Sequence, residues 1–229
     1  MTLRGVLFDL DGTLVDQDGA VAAALESWLP TLGVEPTAET LELWLVCQER
    51  HLAAWREQTI SFAEQRRRRL RDFLPAVGVS YVDDRLDEIF AGYARAYERA
   101  WRRYDDVEEA LALVAAAGLA TAVLTNGTSE QQNAKIARVG LAGRLGPVFT
   151  VEDLGVAKPH AGAFLGACER WGLPPAVVLS VGDRHDLDVL PARAAGLRAV
   201  HLDRHDEGPD DEPARITSLD ELRGEFARR

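Results

Sequence analysis

The sequence predicts an α/β fold: a Rossmann-like, doubly wound parallel sheet core carrying an inserted all-helical cap domain. Three observations lead there. Residues 6–8, Val-Leu-Phe, form a short apolar run closed by Asp9-Leu10-Asp11-Gly12, a buried strand ending in a sharp turn. From residue 107 onward, strand and helix patterns alternate, as in a parallel sheet with crossover helices. Between them, residues 17–103 carry helical periodicity with almost no strand signal.

The elements follow in order. Residues 4–8 are the first strand. In the insertion, Val21, Leu25, Trp28, Leu29 and Leu32 share one helical stripe, and Leu41, Trp44, Leu45 and Leu52 share another. Ser61 and Glu64 form a capping box that opens an Arg-rich helix over 62–74, and a last cap helix spans 84–101. A helix over 107–117 stops at Gly118. The second strand, 119–124, closes with Thr125-Asn126-Gly127, and a capping box at Thr128 and Gln131 opens the next helix, to Gly140. Residues 147–151 are a third strand, 160–172 a helix ended by Gly172, and 177–181 a fourth strand closed by Gly182-Asp183. A helix to Gly196, a fifth strand over 199–202 and a terminal helix capped by Ser218 and Glu221 complete the chain. The expected domains are therefore 1–16 with 104–229 as core, and 17–103 as cap. An insertion there lies at the C-terminal end of a strand, where open α/β sheets bind ligands.

Composition narrows the function classes. The net charge of −11 disfavours binding to nucleic acid or anionic membrane, and no apolar stretch approaches the ~20 residues of a membrane span. Asp9 and Asp11 arrive too early for a signal peptide, and Cys47 and Cys168 make no disulfide framework, so a cytoplasmic location is expected. Only two of the 26 Lys and Arg residues are Lys, at positions 135 and 158. A compact ammonium does what a guanidinium cannot. Lys158 precedes Pro159 in a loop, whereas Lys135 lies in a helical pattern and reads as surface.

Asp9 and Asp11 leave their strand side by side, because residues two apart in extended backbone point the same way. Two such close carboxylates hold either a shared proton or a cation. Thr125 and Asn126, Lys158, and Asp183 with Asp188 stand at the ends of later strands, all on one edge of a parallel sheet. Together they can bind Mg²⁺ through hard oxygen ligands and a phosphate through Thr125, Asn126 and Lys158.

These motifs, Asp9-Leu10-Asp11-Gly12-Thr13, Leu124-Thr125-Asn126-Gly127, Lys158-Pro159 and Val181-Gly182-Asp183 with Asp188, resemble the haloacid dehalogenase superfamily. The resemblance spans nearly the whole chain, with the helical cap of the first subclass. It implies a Mg²⁺-dependent phosphatase of small phosphorylated metabolites, a nucleotide or sugar phosphate, working as a monomer or homodimer. It assigns Asp9 as nucleophile and Asp11 as general acid and then base. Mg²⁺ would be held by Asp9, the Asp11 carbonyl and Asp183, with Asp188 in support and Asp186 as its rival. The acid at position 11 argues against dehalogenation. Thr125-Asn126-Gly127 with Gln132, Lys135 and Ile136 resembles the branch of pyrimidine nucleotidases and N-acylneuraminate-phosphate phosphatases, and Trp55 to Ser61 agrees loosely. The alternatives are a phosphomutase of the same superfamily and a non-catalytic binding scaffold.

Other features carry less. The Arg66–Arg69 run is spread around a helix and reads as a solvated face, and His51 as a packed side chain. His185 reads as structural, and His201, His205 and the acidic 203–212 stretch as an exposed loop.

Overall fold

The computed structural model describes residues 2–227, so the first and the last two residues of the expected core lie outside the described range. The chain divides into two compact units, Met1–Asp16 with Arg102–Arg229, and Gln17–Trp101. Arg102 and Arg103 fall in the first unit because Asp16 N bonds the Arg102 carbonyl at 3.0 Å and Val15 bridges to Arg103.

Strand β1 is Gly5–Phe8. The inserted unit follows as four helices: α1 Gln17–Trp28, α2 Ala38–Arg56, α3 Phe62–Ala76 and α4 Leu86–Ala100. Thr37 caps α2 with a reciprocal box through Thr40. Ser61 caps α3 from one side only, accepting from Glu64 N at 3.1 Å. This unit is held by an aromatic cluster, in which Trp44 is fully buried with its ring 4.4 Å from Tyr93 and 5.0 Å from Phe73. The Arg66–Arg69 run departs from the solvated face expected of it. Arg67 and Arg68 reach surface carboxylates, but Arg69 is buried over Trp44 and bonds Gln48 and Gln65 at 2.9 Å. A turn of about 100° per residue sends adjacent arginines to different faces. His51 packs with Nε2 2.8 Å from Asp72.

The second unit resumes with α5 Val107–Ala116, β2 Ala120–Leu124, α6 Ser129–Arg138 and β3 Val148–Phe149. It continues with α7 Val151–Leu154, α8 Ala161–Trp171, β4 Val178–Gly182, α9 Leu190–Ala194, β5 Arg198–Leu202, β6 Arg215–Ile216 and α10 Leu222–Ala227. The strands form one parallel sheet in the order β3-β2-β1-β4-β5-β6. Two differences from the sequence reading have local causes. The third strand is cut to two residues because Thr150 accepts from Asp153 N and turns the chain into α7. The sixth strand, two residues long, is too short to leave a periodic signal.

Leu7 from β1, Ala122 and Leu124 from β2, and Val178 from β4 pack in one cluster with Ala163, Phe164 and Cys168 of α8. Val6 and Phe8 alternate to the opposite face and are also fully buried, so helices cover both sides of the sheet. Each fully buried Leu or Phe contributes roughly 1.5–3 kcal/mol to this core. Because β1 has β2 on one side and β4 on the other, the chain reverses its winding direction at β1. Such a switch point opens a crevice beyond the carboxyl ends of the strands.

Candidate active site

Asp9 stands at that switch point, directly after β1, with its N–H bonded to the Val181 carbonyl at 2.8 Å. The following turn is fixed by Leu14 and Val15 N–H groups, which both donate to the Leu10 carbonyl. Gly12 is required in it: φ is +88°, and a Cβ would come within 2.3 Å of the Asp183 carboxylate. Arg204 holds the same turn from outside, donating to the carbonyls of Gly12 and Thr13 while pairing with Asp106 at 2.8 Å.

Lys158 is the centre of the site. Its Nζ donates to Asp9 Oδ1 at 2.6 Å and pairs with Asp188 Oδ1, with all three side chains buried. Carboxylate oxygens of Asp9, Asp183 and Asp188 lie within 4.8 Å of one another. Thr13 links this group to the β1 turn, its Oγ1 accepting from Asp183 N at 3.1 Å and donating to Asp183 Oδ1 at 3.3 Å. Asp188 Oδ2 accepts from Arg184 N at 3.1 Å, and Gly182 leaves the room it needs, since a Cβ there would meet Asp188 at 2.4 Å.

The electrostatics follow from three clustered carboxylates and one ammonium that pairs with two of them. Burial, with the Asp188 and Asp11 charges adding to it against the pull of Lys158, pushes Asp9 up to about 7. Burial and then the charges of Asp9 and Asp188 push Asp183 well above the usual carboxylate range. Burial works against the Lys158 ammonium, but Asp188 and Asp9 outweigh it and hold the charge above its ordinary range. An excess of buried negative charge made of hard oxygen donors is the environment that a small divalent cation such as Mg²⁺ satisfies.

Asn126, expected to contact phosphate, is bonded to the main chain of Lys158. Its Nδ2 donates to the Lys158 carbonyl and its Oδ1 accepts from Lys158 N, both at 2.8 Å, so it clasps the main chain on which the lysine stands. Thr125 is buried after β2, with its N–H on the Phe149 carbonyl at 3.0 Å. Its Oγ1 accepts from Gln132 Nε2 at 2.6 Å, which leaves the hydroxyl hydrogen available to a ligand.

Asp11 is not one of the clustered carboxylates. Its Oδ2 accepts from Gln132 Nε2 at 2.8 Å, and its Oδ1 pairs with Lys135. Lys135 is therefore not the surface residue that the helical pattern suggested: it is 2% exposed, on the inward face of α6. The signal for both residues was their spacing of three, which puts them on one helix face. Asp186 is exposed and pairs with Arg184, outside the cluster, whereas Asp188 is inside it. His185 is tied to Glu212 at 3.0 Å. His201 corrects the exposed-loop reading: it is buried on β5, and its Nε2–H donates to the Asp183 carbonyl at 3.0 Å.

Several known proteins are similar to this chain. A phosphoserine phosphatase of Thermus thermophilus is 38% identical over 136 residues, spanning 58% of this chain and 55% of that protein. A phosphoglycolate phosphatase of Shigella boydii is 29% identical over 210 residues, covering 87% of this chain and 81% of its own. The crystal structure of the HAD-hydrolase YfnB from Bacillus subtilis, bound to magnesium, superposes over 100% of both chains with a TM-score of 0.83 at 22% identity. The haloacid dehalogenase-like hydrolase family profile matches residues 3–196. Since that match runs through Asp9, Thr125, Lys158 and Asp183, the chain belongs to the haloacid dehalogenase-like hydrolases.

Proposed function

We propose that this protein is a Mg²⁺-dependent phosphatase of small phosphate monoesters, acting through an aspartyl-phosphate on Asp9. The observation that carries the reading is Lys158 held between Asp9 and Asp188, beside Asp183, at the switch point of the sheet. Phosphoryl transfer asks mainly for positioning and charge neutralisation, and this is a site built of fixed opposite charges. Asp9, the Asp11 carbonyl and Asp183 would hold Mg²⁺, with Asp188 in support. Bound there, the cation would screen the negative charge of the nucleophile and of the phosphoryl oxygens.

The chain's own residues then divide the work. An Asp9 oxygen forms the bond to phosphorus as the ester P–O bond breaks, and Asp11 gives its proton to the departing alkoxide. Asp11 then takes a proton from the water that attacks phosphorus, releasing phosphate and restoring Asp9. Lys158 and the Thr125 hydroxyl hold the phosphoryl oxygens, and Asn126 fixes the Lys158 backbone.

The phosphoglycolate and phosphoserine phosphatases among the relatives support a small phosphorylated acid as substrate, beside the nucleotide and sugar phosphates that the sequence suggests. In all these esters one phosphate sits on a small polar alcohol. Among the described residues no helix is long and apolar enough to cross a membrane. The test is phosphate release from phosphoglycolate, phosphoserine, nucleoside monophosphates and sugar phosphates, with and without Mg²⁺. Release that requires Mg²⁺ is expected for at least one; no release from any would end the proposal.

A further inference from the structure

Lys135 and Gln132 have no part in the reaction as written, yet both are buried to 2% exposure and both end on Asp11. Burying an ammonium costs several kcal/mol before its partner repays any of it. A leucine at position 135 would fill the same helix face without that cost. The Gln132 amide spends one hydrogen on Asp11 Oδ2 and the other on Thr125 Oγ1, so a single side chain spans the two strand ends. Gly127 keeps the passage open, because a Cβ there would lie 2.4 Å from Gln132. Both residues rise from the same face of α6, whose start is fixed by Thr128 accepting from Gln131 N.

We propose that Lys135 and Gln132 are positioning residues for Asp11: a two-pronged clamp from α6 that sets the acid–base carboxylate in register with the phosphoryl-holding Thr125. The inference rests on the reading of Asp11 as acid and base. Loss of the Gln132 contact to Thr125 falls on all esters alike, but the clamp on Asp11 acts on departure of the leaving group in the first half-reaction. Its signature is therefore a dependence on the leaving group, which loss of packing would not produce.

The experiment compares kcat/KM for an alkyl ester, glycerol phosphate, with kcat/KM for p-nitrophenyl phosphate, whose leaving group needs little protonation. This ratio reports the steps through leaving-group departure and not the later hydrolysis in which Asp11 is the base. The variants are Lys135→Met, Gln132→Leu and Asp11→Asn, and each α6 change combined with Asp11→Asn, with folding checked by circular dichroism. Lys135→Met should cut kcat/KM for the alkyl ester by at least about tenfold and for the aryl ester by less than about threefold, and Gln132→Leu should cut the alkyl ester at least about threefold more than the aryl ester. Neither should show that selective loss in the Asp11→Asn background. Equal loss on both esters, or a selective loss that persists in the double variants, overturns the clamp. Should Lys135→Met not fold, Gln132→Leu carries the same comparison. Selective loss in Asp11→Asn without it in the α6 variants defeats the clamp and leaves the phosphatase reading standing. Equal loss on both esters in Asp11→Asn itself defeats the acid role, and the clamp with it.

Discussion

The Lys158 ammonium lies 2.6 Å from Asp9 Oδ1 and also pairs with Asp188, so one buried cation is shared by two buried carboxylates. A compact ammonium fits between two anions, whereas a planar guanidinium needs more room and a forked partner. Lys158→Arg should therefore keep the fold and lose about 100-fold or more in kcat, since about 1 Å of misplacement costs that much. Lys158→Ala should lose at least as much. It should also be destabilised by about 3–5 kcal/mol without divalent cation, because two buried carboxylates lose their partner. Steady-state kinetics beside urea titration reads both effects. Turnover of the Arg variant within a few-fold of the natural protein would reduce Lys158 to a source of charge.

Asn126 acts on the same lysine from behind. Asn126→Ala removes both bonds to the Lys158 main chain and should cost about 1–3 kcal/mol of stability. Activity should fall about 10- to 100-fold, through displacement of Lys158. Were Asn126 a direct phosphate contact only, KM would rise with stability unchanged.

Gly12 touches the metal-facing side of the site. Gly12→Ala places a methyl 2.3 Å from the Asp183 carboxylate at a φ of +88°. The backbone strain costs about 1–3 kcal/mol, and the larger consequence falls on Asp183. Calorimetric titration with Mg²⁺ should show weakened binding even where the variant stays folded. Undiminished Mg²⁺ affinity would remove Asp183 from the cation site.

The raised carboxylates also make Mg²⁺ binding depend on pH. Asp9 is pushed from 3.8 up to about 7, so between those values the folded protein holds more protons than the unfolded chain. This group therefore costs stability as pH rises through that window, and a bound cation relieves the cost by favouring the ionised form. The gain in Tm from Mg²⁺ should be small near about pH 5 and larger near about pH 8. A gain that is equal at both, or larger in acid, would contradict the charge excess.

The residues gathered around Lys158 could be read in the sequence because each one follows a strand, and parallel strands place such residues on one edge. Asp9, Thr125 and Asp183 needed only the apolar runs before them. Lys135 did not yield to that logic. It stands on a helix, where inward and outward faces are told apart by apolar neighbours, and α6 has few: Ile136 is its one large buried apolar residue. The rarity of Lys in this Arg-rich chain marked positions 135 and 158 alike, and only the fold distinguishes what each one faces. His201 was hidden for a related reason. A histidine near the end of a strand reads as the start of a loop, but β6 pairs with it, Arg215 opposite His201, and its ring is buried against the Asp183 carbonyl.

Whether phosphate passes through Asp9 is the question on which the account turns, and it can be answered by trapping. The protein is mixed with substrate and Mg²⁺, quenched during turnover and reduced with borohydride, which converts an acyl phosphate to the alcohol. Peptide mapping should then find homoserine at position 9 in the natural protein and none in Asp9→Asn, which should fold but not turn over. Reduction at another carboxylate, or phosphatase activity persisting in a folded Asp9→Asn protein, would contradict it.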